Sequence, residues 1–317
     1  MNPLEIRSAY LGSKEYMDPL KDEVDGIVKI QDQLILSSAP PIKTLWALNT
    51  WQTPIVLAID SINDGAKKLK TIQRNWCLYS YQSHRRAKLI QEKLPQIFAK
   101  PLRFPCPPPS SPIGSWTLLT QNQILASSQC SSLFQNGEIL FEEDREGPPS
   151  RAYLKLYEAL TRMGKFPQPG EFCIDAGGSP GGWTWAVQKL GARVLSVDRS
   201  SLDWEIRSLP NVEYRKGDAF ALKPSDFDQV DWLFSDIICY PEKLFEWLSI
   251  WVNAKKCKNF VSTIKFQGTP DYSIARKFLE FEGSQVFHLY NNKHELTWIR
   301  TNSNPDEKNS EEENFIE

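Results

Sequence analysis

One run in this chain combines residue type and spacing into something that could hold a ligand: Asp175-Ala-Gly-Gly-Ser-Pro-Gly-Gly-Trp183. Phe172 to Asp175 reads as a buried strand, Trp183 to Leu190 as a helix and Arg193 to Asp198 as a second strand, so the run is the turn of a βαβ unit. In an open α/β sheet ligands sit beyond the carboxyl ends of the strands, at such a turn, and glycines there let a ligand approach the backbone. Gly177, Gly178, Gly181 and Gly182 are expected to supply that bare backbone. A nicotinamide or flavin site would show G-x-G-x-x-G, with a helix N-terminus facing a pyrophosphate. This turn has Asp175 closing the strand and Pro180 in its middle, which suits a ligand without phosphates. Asp198, at the tip of the second strand, is placed to accept hydrogen bonds from a ribose diol.

The nine residues closely resemble the S-adenosylmethionine loop of the FtsJ-like RNA ribose 2'-O-methyltransferases. Gly178 stands where that family usually has Ala or Cys, a change expected to be tolerated because it only removes bulk. The resemblance implies a Lys-Asp-Lys-Glu tetrad, and four residues fall in the corresponding elements. They are Lys155 in SRAYLKLYEAL, Asp236 in FSDIICYPE, Lys265 in VSTIKFQG and Glu295 in NNKHELTWIR. It also implies S-adenosylmethionine as cofactor. Asp175 and the loop from Gly177 through Gly178, Ser179, Pro180, Gly181 and Gly182 to Trp183 would line the methionine and ribose side. Asp198 would hold the ribose hydroxyls, and Asp218 in KGDAF would face the adenine amine.

The reaction that the resemblance implies explains such a set. A ribose 2'-hydroxyl loses its proton as it attacks the methyl carbon of a sulfonium. A lysine with an ordinary pKa of about 10.4 serves as base near neutrality only if burial or a second cation lowers it. Lys265 is the expected base, Lys155 the second cation, Asp236 the group that orients the amine, and Glu295 a partner in placing the ribose and balancing charge. The four would titrate as one coupled group. Within the family, PSRAYLKLYEA, the glycine loop and NNKHELTWIR are most similar to the bacterial enzymes that methylate a cytidine of large-subunit ribosomal RNA. Transfer RNA or cap RNA as substrate, and a non-catalytic RNA-binding scaffold, are the alternatives.

The elements around these residues predict an α/β fold class, a mostly parallel sheet covered by helices on both faces over residues 148–301, which the resemblance implies is a Rossmann-like methyltransferase domain. A smaller α+β domain, ferredoxin-like or THUMP-like, is expected over 1–147, and an acidic disordered tail over 302–317. Within the larger domain Ser150 is the expected N-cap of a helix from Arg151 to Arg162. Strands are expected at Val212–Arg215, Trp232–Asp236, Phe260–Lys265, Gln285–Leu289 and Leu296–Ile299, with helices at Lys243–Val252 and Ser273–Phe281. In the smaller domain the pattern gives strands at Pro54–Ile59 and Trp76–Tyr81, helices at Ile62–Thr71 and Arg85–Phe98, and a proline-rich loop from Pro101 to Pro112.

The chain has 317 residues, 41% of them hydrophobic, enough for a catalytic domain and a smaller one. Its formal net charge of −2 argues weakly against nucleic acid, yet Lys67 to Arg103 holds ten basic residues and one acidic, Glu92. That segment and the methyltransferase face are the expected contacts with RNA, which is expected to be ribosomal. Six cysteines are scattered without a C-x-x-C and three histidines form no ligand spacing with them, so no metal is expected. No apolar run approaches the roughly 20 residues of a membrane span, and the N-terminus lacks a signal pattern, so a cytoplasmic protein without membrane contact is expected.

Overall fold

The computed structural model describes residues 6–97, 100–268 and 271–301; the tail expected over 302–317 lies outside them. The chain divides into two compact units, Met1–Glu142 and Glu143–Glu317.

The first unit holds two four-stranded sheets. Strands β1 (Ser8–Gly12), β2 (Ile27–Gln31), β3 (Leu34–Ser37) and β4 (Ala47–Trp51), with helix α1 (Met17–Glu23) between β1 and β2, make an antiparallel sheet in the order β2-β3-β1-β4. The second sheet is built from β5 (Pro54–Ala58), α2 (Ile62–Ile72), β6 (Trp76–Leu78), α3 (His84–Gln91), β7 (Gly114–Thr120) and β8 (Gln123–Ser127). Its order is β5-β8-β7-β6, antiparallel except for the parallel pair β6–β7. The sequence of elements is β-α-β-α-β-β, whereas a ferredoxin-like unit runs β-α-β-β-α-β. The ferredoxin-like or THUMP-like reading of this unit is therefore not confirmed.

Helix α2 is amphipathic for a visible reason. Gly65, Ala66 and Leu69 are buried while Lys67 and Lys70 face out, and the Ser61 hydroxyl caps the helix by accepting from the Asp64 N–H at 3.1 Å. Helix α3 starts at His84 and ends at Gln91, shorter than expected; Phe98 and Ala99 lie outside the described residues.

The second unit runs α4 (Tyr153–Met163), β9 (Phe172–Ala176), α5 (Gly182–Gln188), β10 (Arg193–Asp198), α6 (Trp204–Arg207), β11 (Val212–Lys216), β12 (Val230–Ser235), α7 (Pro241–Ala254), β13 (Cys257–Lys265), α8 (Ile274–Lys277), β14 (Ser284–Phe287) and β15 (Glu295–Thr301). Its seven strands lie in the order β11-β10-β9-β12-β13-β15-β14. The first five are parallel, and β15 is antiparallel to both neighbours. From β9 the chain steps outward through α5 to β10, and from β12 it steps the opposite way through α7 to β13. Right-handed crossovers then put α5 and α7 on opposite faces of a Rossmann-like sheet. The order reverses between β9 and β12, which makes their carboxyl ends the topological switch point.

Ser150 does not cap α4. The helix begins at Tyr153 after Ala152, without a side-chain cap, and the buried Ser150 hydroxyl has no hydrogen-bond partner. It faces the start of α5 instead: a Cβ on Gly182 would lie 2.7 Å from its Oγ. The expected helix over Ser273–Phe281 is one turn of α-helix, α8, followed by a 3-10 turn at Phe278–Glu280.

Candidate active site

The turn after β9 is packed tightly against its own chain. Gly177 has φ +79°, and a Cβ there would lie 2.5 Å from Ile237 Cγ1. Gly181 has φ +122° and would meet Ile206 at 2.8 Å. At Gly178 a Cβ would lie 2.1 Å from Ser196 Oγ and 2.8 Å from Asp175 Oδ2. The glycines are thus required by internal packing before any ligand is considered, and Gly178 is more than a loss of bulk, because the Ser196 hydroxyl occupies the space a methyl would need.

Asp175 is fully buried. It accepts a 2.6 Å hydrogen bond from the Thr184 hydroxyl through Oδ2, and its Oδ1 has no partner. Burial pushes its carboxyl up to about 7, with the negative charges of Asp236 and Asp198 adding to the rise. Trp183 is only 3% exposed, and its indole N–H donates to the Ala152 carbonyl at 2.9 Å. It therefore anchors the entry to α4, and offers little surface to a ligand.

Two aspartates shape the other side of the turn. Asp198 accepts from the Ser179 N–H at 3.1 Å and the Ser200 N–H at 2.7 Å, and the Ser179 hydroxyl donates to the Ser201 carbonyl at 3.0 Å. The Pro180 carbonyl accepts from the Asp203 N–H at 2.9 Å, so the loops after β9 and β10 are tied together. Asp218 accepts from the Phe220 N–H and forms a 2.6 Å ion pair with Arg199, which, with that N–H, holds its carboxyl below the usual range. Each of these carboxylate oxygens keeps a lone pair beyond the bonds named.

Across the switch point the four remaining residues converge. Asp236 follows the last residue of β12, Lys265 ends β13 and Glu295 begins β15. Lys265 and Glu295 are directly opposed in the antiparallel register, and β13 lies between β12 and β15, so three carboxyl-edge positions fall in a row. Lys155, in the first turn of α4, bridges the two acids: its Nζ lies 3.1 Å from both Asp236 oxygens and 2.9 Å from Glu295 Oε1. Lys265 Nζ lies 2.9 Å from Asp236 Oδ1 and donates to the Asp236 carbonyl at 2.6 Å. The result is a linear chain, Glu295–Lys155–Asp236–Lys265, with charge balanced and an acid standing between the two lysines.

Burial works against the Lys155 ammonium, but Asp236 and Glu295 outweigh it and its pKa is raised. Burial likewise favours the neutral Asp236, but Lys155, Lys265 and the hydroxyl of Thr263 outweigh it and hold its carboxyl below the usual range. The expectation that Lys155 acts directly on Lys265 as a neighbouring cation meets a geometry in which Asp236 is the partner of each.

Two supporting residues went unread in the sequence. Thr263 donates to Asp236 Oδ1 and sits two residues before Lys265, on the same face of β13. Glu158, one turn after Lys155 on α4, is fully buried and accepts from the backbone N–H groups of Tyr290 and Asn291, each at 3.0 Å, from the Asn291 side chain at 2.8 Å and from Arg162 at 2.9 Å. It fixes the loop that delivers Glu295, and Asn292 adds a hydrogen bond to the Glu295 carbonyl at 3.2 Å. Helical spacing from Lys155 was the available signal for Glu158, and strand alternation from Lys265 the signal for Thr263.

Residues 148–286 match the FtsJ-like methyltransferase family. The matched residues fall within the second unit. Among curated relatives, the "Ribosomal RNA large subunit methyltransferase M" of Halorhodospira halophila is 30% identical over 157 residues, covering 47% of this chain and 46% of that protein. The protein of the same name from Xylella fastidiosa is 29% identical over 170 residues, covering 49% of this chain and 48% of that one. The aligned part thus spans about half the length of the curated relatives. A ribosomal RNA methyltransferase structure from Plasmodium falciparum aligns with 48% of this chain and 97% of its own at 15% identity and a TM-score of 0.36. Among the described residues, no group of three or more His, Cys, Asp or Glu is placed to hold a metal, and no helix is long and apolar enough to cross a membrane.

Proposed function

We propose that the FtsJ-like domain transfers a methyl group from S-adenosylmethionine to a ribose 2'-hydroxyl of structured RNA, with a cytidine of large-subunit ribosomal RNA as the target and the cytoplasm as the place of action. The observation that carries this reading is the ion-paired chain Glu295–Lys155–Asp236–Lys265 at the switch point of the sheet, beside a turn whose acids suit hydroxyl and amine donors.

The residues present fit the cofactor. Asp198 and Asp218 retain acceptor capacity at the ends of β10 and β11 for a ribose diol and an adenine amine, and no lysine or arginine lies in the turn from Asp175 to Trp183 to demand a phosphate. S-adenosylmethionine would supply an electrophilic methyl group on a sulfonium, whose carbon–sulfur bond would break as the new oxygen–carbon bond forms, the electron pair staying on a neutral thioether.

In this mechanism the Lys265 amine, in its neutral form, accepts the proton leaving the 2'-oxygen as that oxygen forms its bond to carbon. Asp236, 2.9 Å away, orients the amine and stabilises the ammonium it becomes. Lys155 holds Asp236 and Glu295 in register, and the set places the ribose so that much of the acceleration comes from proximity. In the first unit Lys67, Lys70, Arg74, Arg85, Lys88, Lys93 and Lys100 are exposed, which supports a role in holding RNA phosphates. Mass-spectrometric mapping of ribose methylation in ribosomal RNA from cells with and without the gene tests the reading. Loss of one 2'-O-methyl mark with the gene is expected, and an unchanged methylation map would overturn it.

A further inference from the structure

The segment that follows Asp236 presents two large apolar side chains to solvent. Ile238 is 77% exposed and Tyr240 63% exposed, while their neighbours Ile237 and Cys239 are half-buried. Among the described residues the other large apolar side chains more than half exposed are Trp204 at 73% and Ile250 at 58%, neither of them in the loop that follows Asp236. The Tyr240 side chain makes no hydrogen bond and no ring contact among the described residues.

The segment is also held firmly at both ends. Ile237 lies against the turn after β9, with its Cα 3.2 Å from where a Gly177 Cβ would be. Tyr240 is the N-cap of α7, at φ −67° and ψ 140°, and the buried Pro241 that follows restricts it to this extended geometry. Its carbonyl accepts the first bond of the 14-residue helix, from the Leu244 N–H at 3.2 Å. The ring is therefore displayed from a backbone with little freedom left to lose.

We infer that Tyr240, with Ile238 beside it, is the platform on which the base of the target nucleotide stacks. This deepens the proposed function and rests on it. In a nucleotide the base is attached to C1', the carbon bonded to the one bearing the 2'-hydroxyl, so a ribose engaged by Asp236 and Lys265 places its base against the surface just beyond them. Asp236 is four residues from Tyr240 in the same loop. A nucleotide reached in structured RNA leaves its stack, and an aromatic face replaces the stacking it gives up. Stacking is tolerant of base identity, so Tyr240 contributes affinity for an unstacked base, and discrimination among bases falls to other groups.

The test compares the full-length protein with Tyr240→Ala, Tyr240→Phe, Tyr240→Trp and Ile238→Ala. The readouts are methyl transfer to large-subunit ribosomal RNA from cells lacking the gene, the dissociation constant for S-adenosylmethionine, and thermal melting. Tyr240→Ala is expected to raise KM for RNA by about five- to a hundred-fold. Cofactor affinity and melting should stay at wild-type values, because an exposed ring supports neither. Phe and Trp should restore KM, since stacking needs the ring and not the hydroxyl, and Ile238→Ala should give a smaller rise. If the wild type methylates and Tyr240→Ala leaves KM unchanged, or Phe fails to rescue, the platform is refuted while the methyltransferase reading stands. If the wild type neither binds the cofactor nor transfers a methyl group, both are overturned.

Discussion

Replacing Asp175 with Asn should raise stability relative to the wild type progressively as pH rises from about 4 to 7. The carboxyl is fully buried and its pKa moves from an ordinary 3.8 up to about 7. Between those values the folded state binds a proton that the unfolded state has released, so stability falls as pH rises through the window and the penalty is complete above it. At 1.36 kcal/mol per pKa unit the full penalty is about 4 kcal/mol, and at pH 4.5 it is about 1 kcal/mol. Asn keeps an oxygen for the Thr184 hydroxyl, now 2.6 Å from the carboxylate, and carries no charge at any pH. Its amide nitrogen would lack an acceptor, an offset of about 1–3 kcal/mol that does not change with pH. The observable is therefore the pH dependence of the difference. Between pH 4.5 and pH 8 the Tm of the variant should gain on the wild type by an amount corresponding to at most about 3 kcal/mol, or about 6–12 °C for a domain of this size. Differential scanning of both proteins across that range decides it. A difference that is flat with pH, or that shrinks toward pH 8, would refute the reasoning.

Glu158→Gln should loosen the Tyr290–Asn291 loop, lowering stability by about 1–3 kcal/mol and cutting kcat with the cofactor dissociation constant unchanged. A fall in cofactor affinity equal to the fall in kcat would show that the loop does not act through Glu295. Changing the exposed Lys67, Lys70 and Lys93 together to Glu in the full chain should weaken RNA binding and reduce its log–log salt slope by about two to three, leaving cofactor binding alone. These three are better probes than Arg86, which is half-buried with its Nε enclosed, and an unchanged salt slope would mark the segment as an ordinary solvated face.

Local pattern made the central βαβ unit readable: a short apolar run ending in Asp175, a glycine-rich turn and a second strand ending in Asp198 appear where expected. Lys155, Asp236, Lys265 and Glu295 were legible only through the FtsJ-like resemblance, each alone reading as an ordinary surface or strand-end charge, and the sheet register brings them together. What escaped depends on contacts distant in sequence. The Glu158 clamp spans 132 residues to Tyr290, and nothing local says that Gly177 must clear Ile237 or that Gly178 must clear Ser196. Ser150 looked like a cap because its type and position suited one, yet the fold turns its hydroxyl toward Gly182. Strand β4, ALNTW, was not anticipated; its Asn49 and Trp51 are fully buried, and Asn49 donates to Ser115 at 3.1 Å, a pairing that only the assembled unit provides.

The central claim is that the ion-paired chain is the methyl-transfer centre with Lys265 as its base, and the most direct test is single-turnover transfer to RNA by Lys265→Ala, with cofactor affinity measured by calorimetry on the same preparation. The side chain ends in the Asp236 pair and carries no part of the turn after β9, so affinity for S-adenosylmethionine should be unchanged. The rate should fall by about 10² to 10⁴, the usual contribution of a positioned general base, or more if ribose placement is lost as well. A fall of less than about tenfold with cofactor affinity intact would contradict the account, because a base that can be removed at so little cost is not the group that takes the proton.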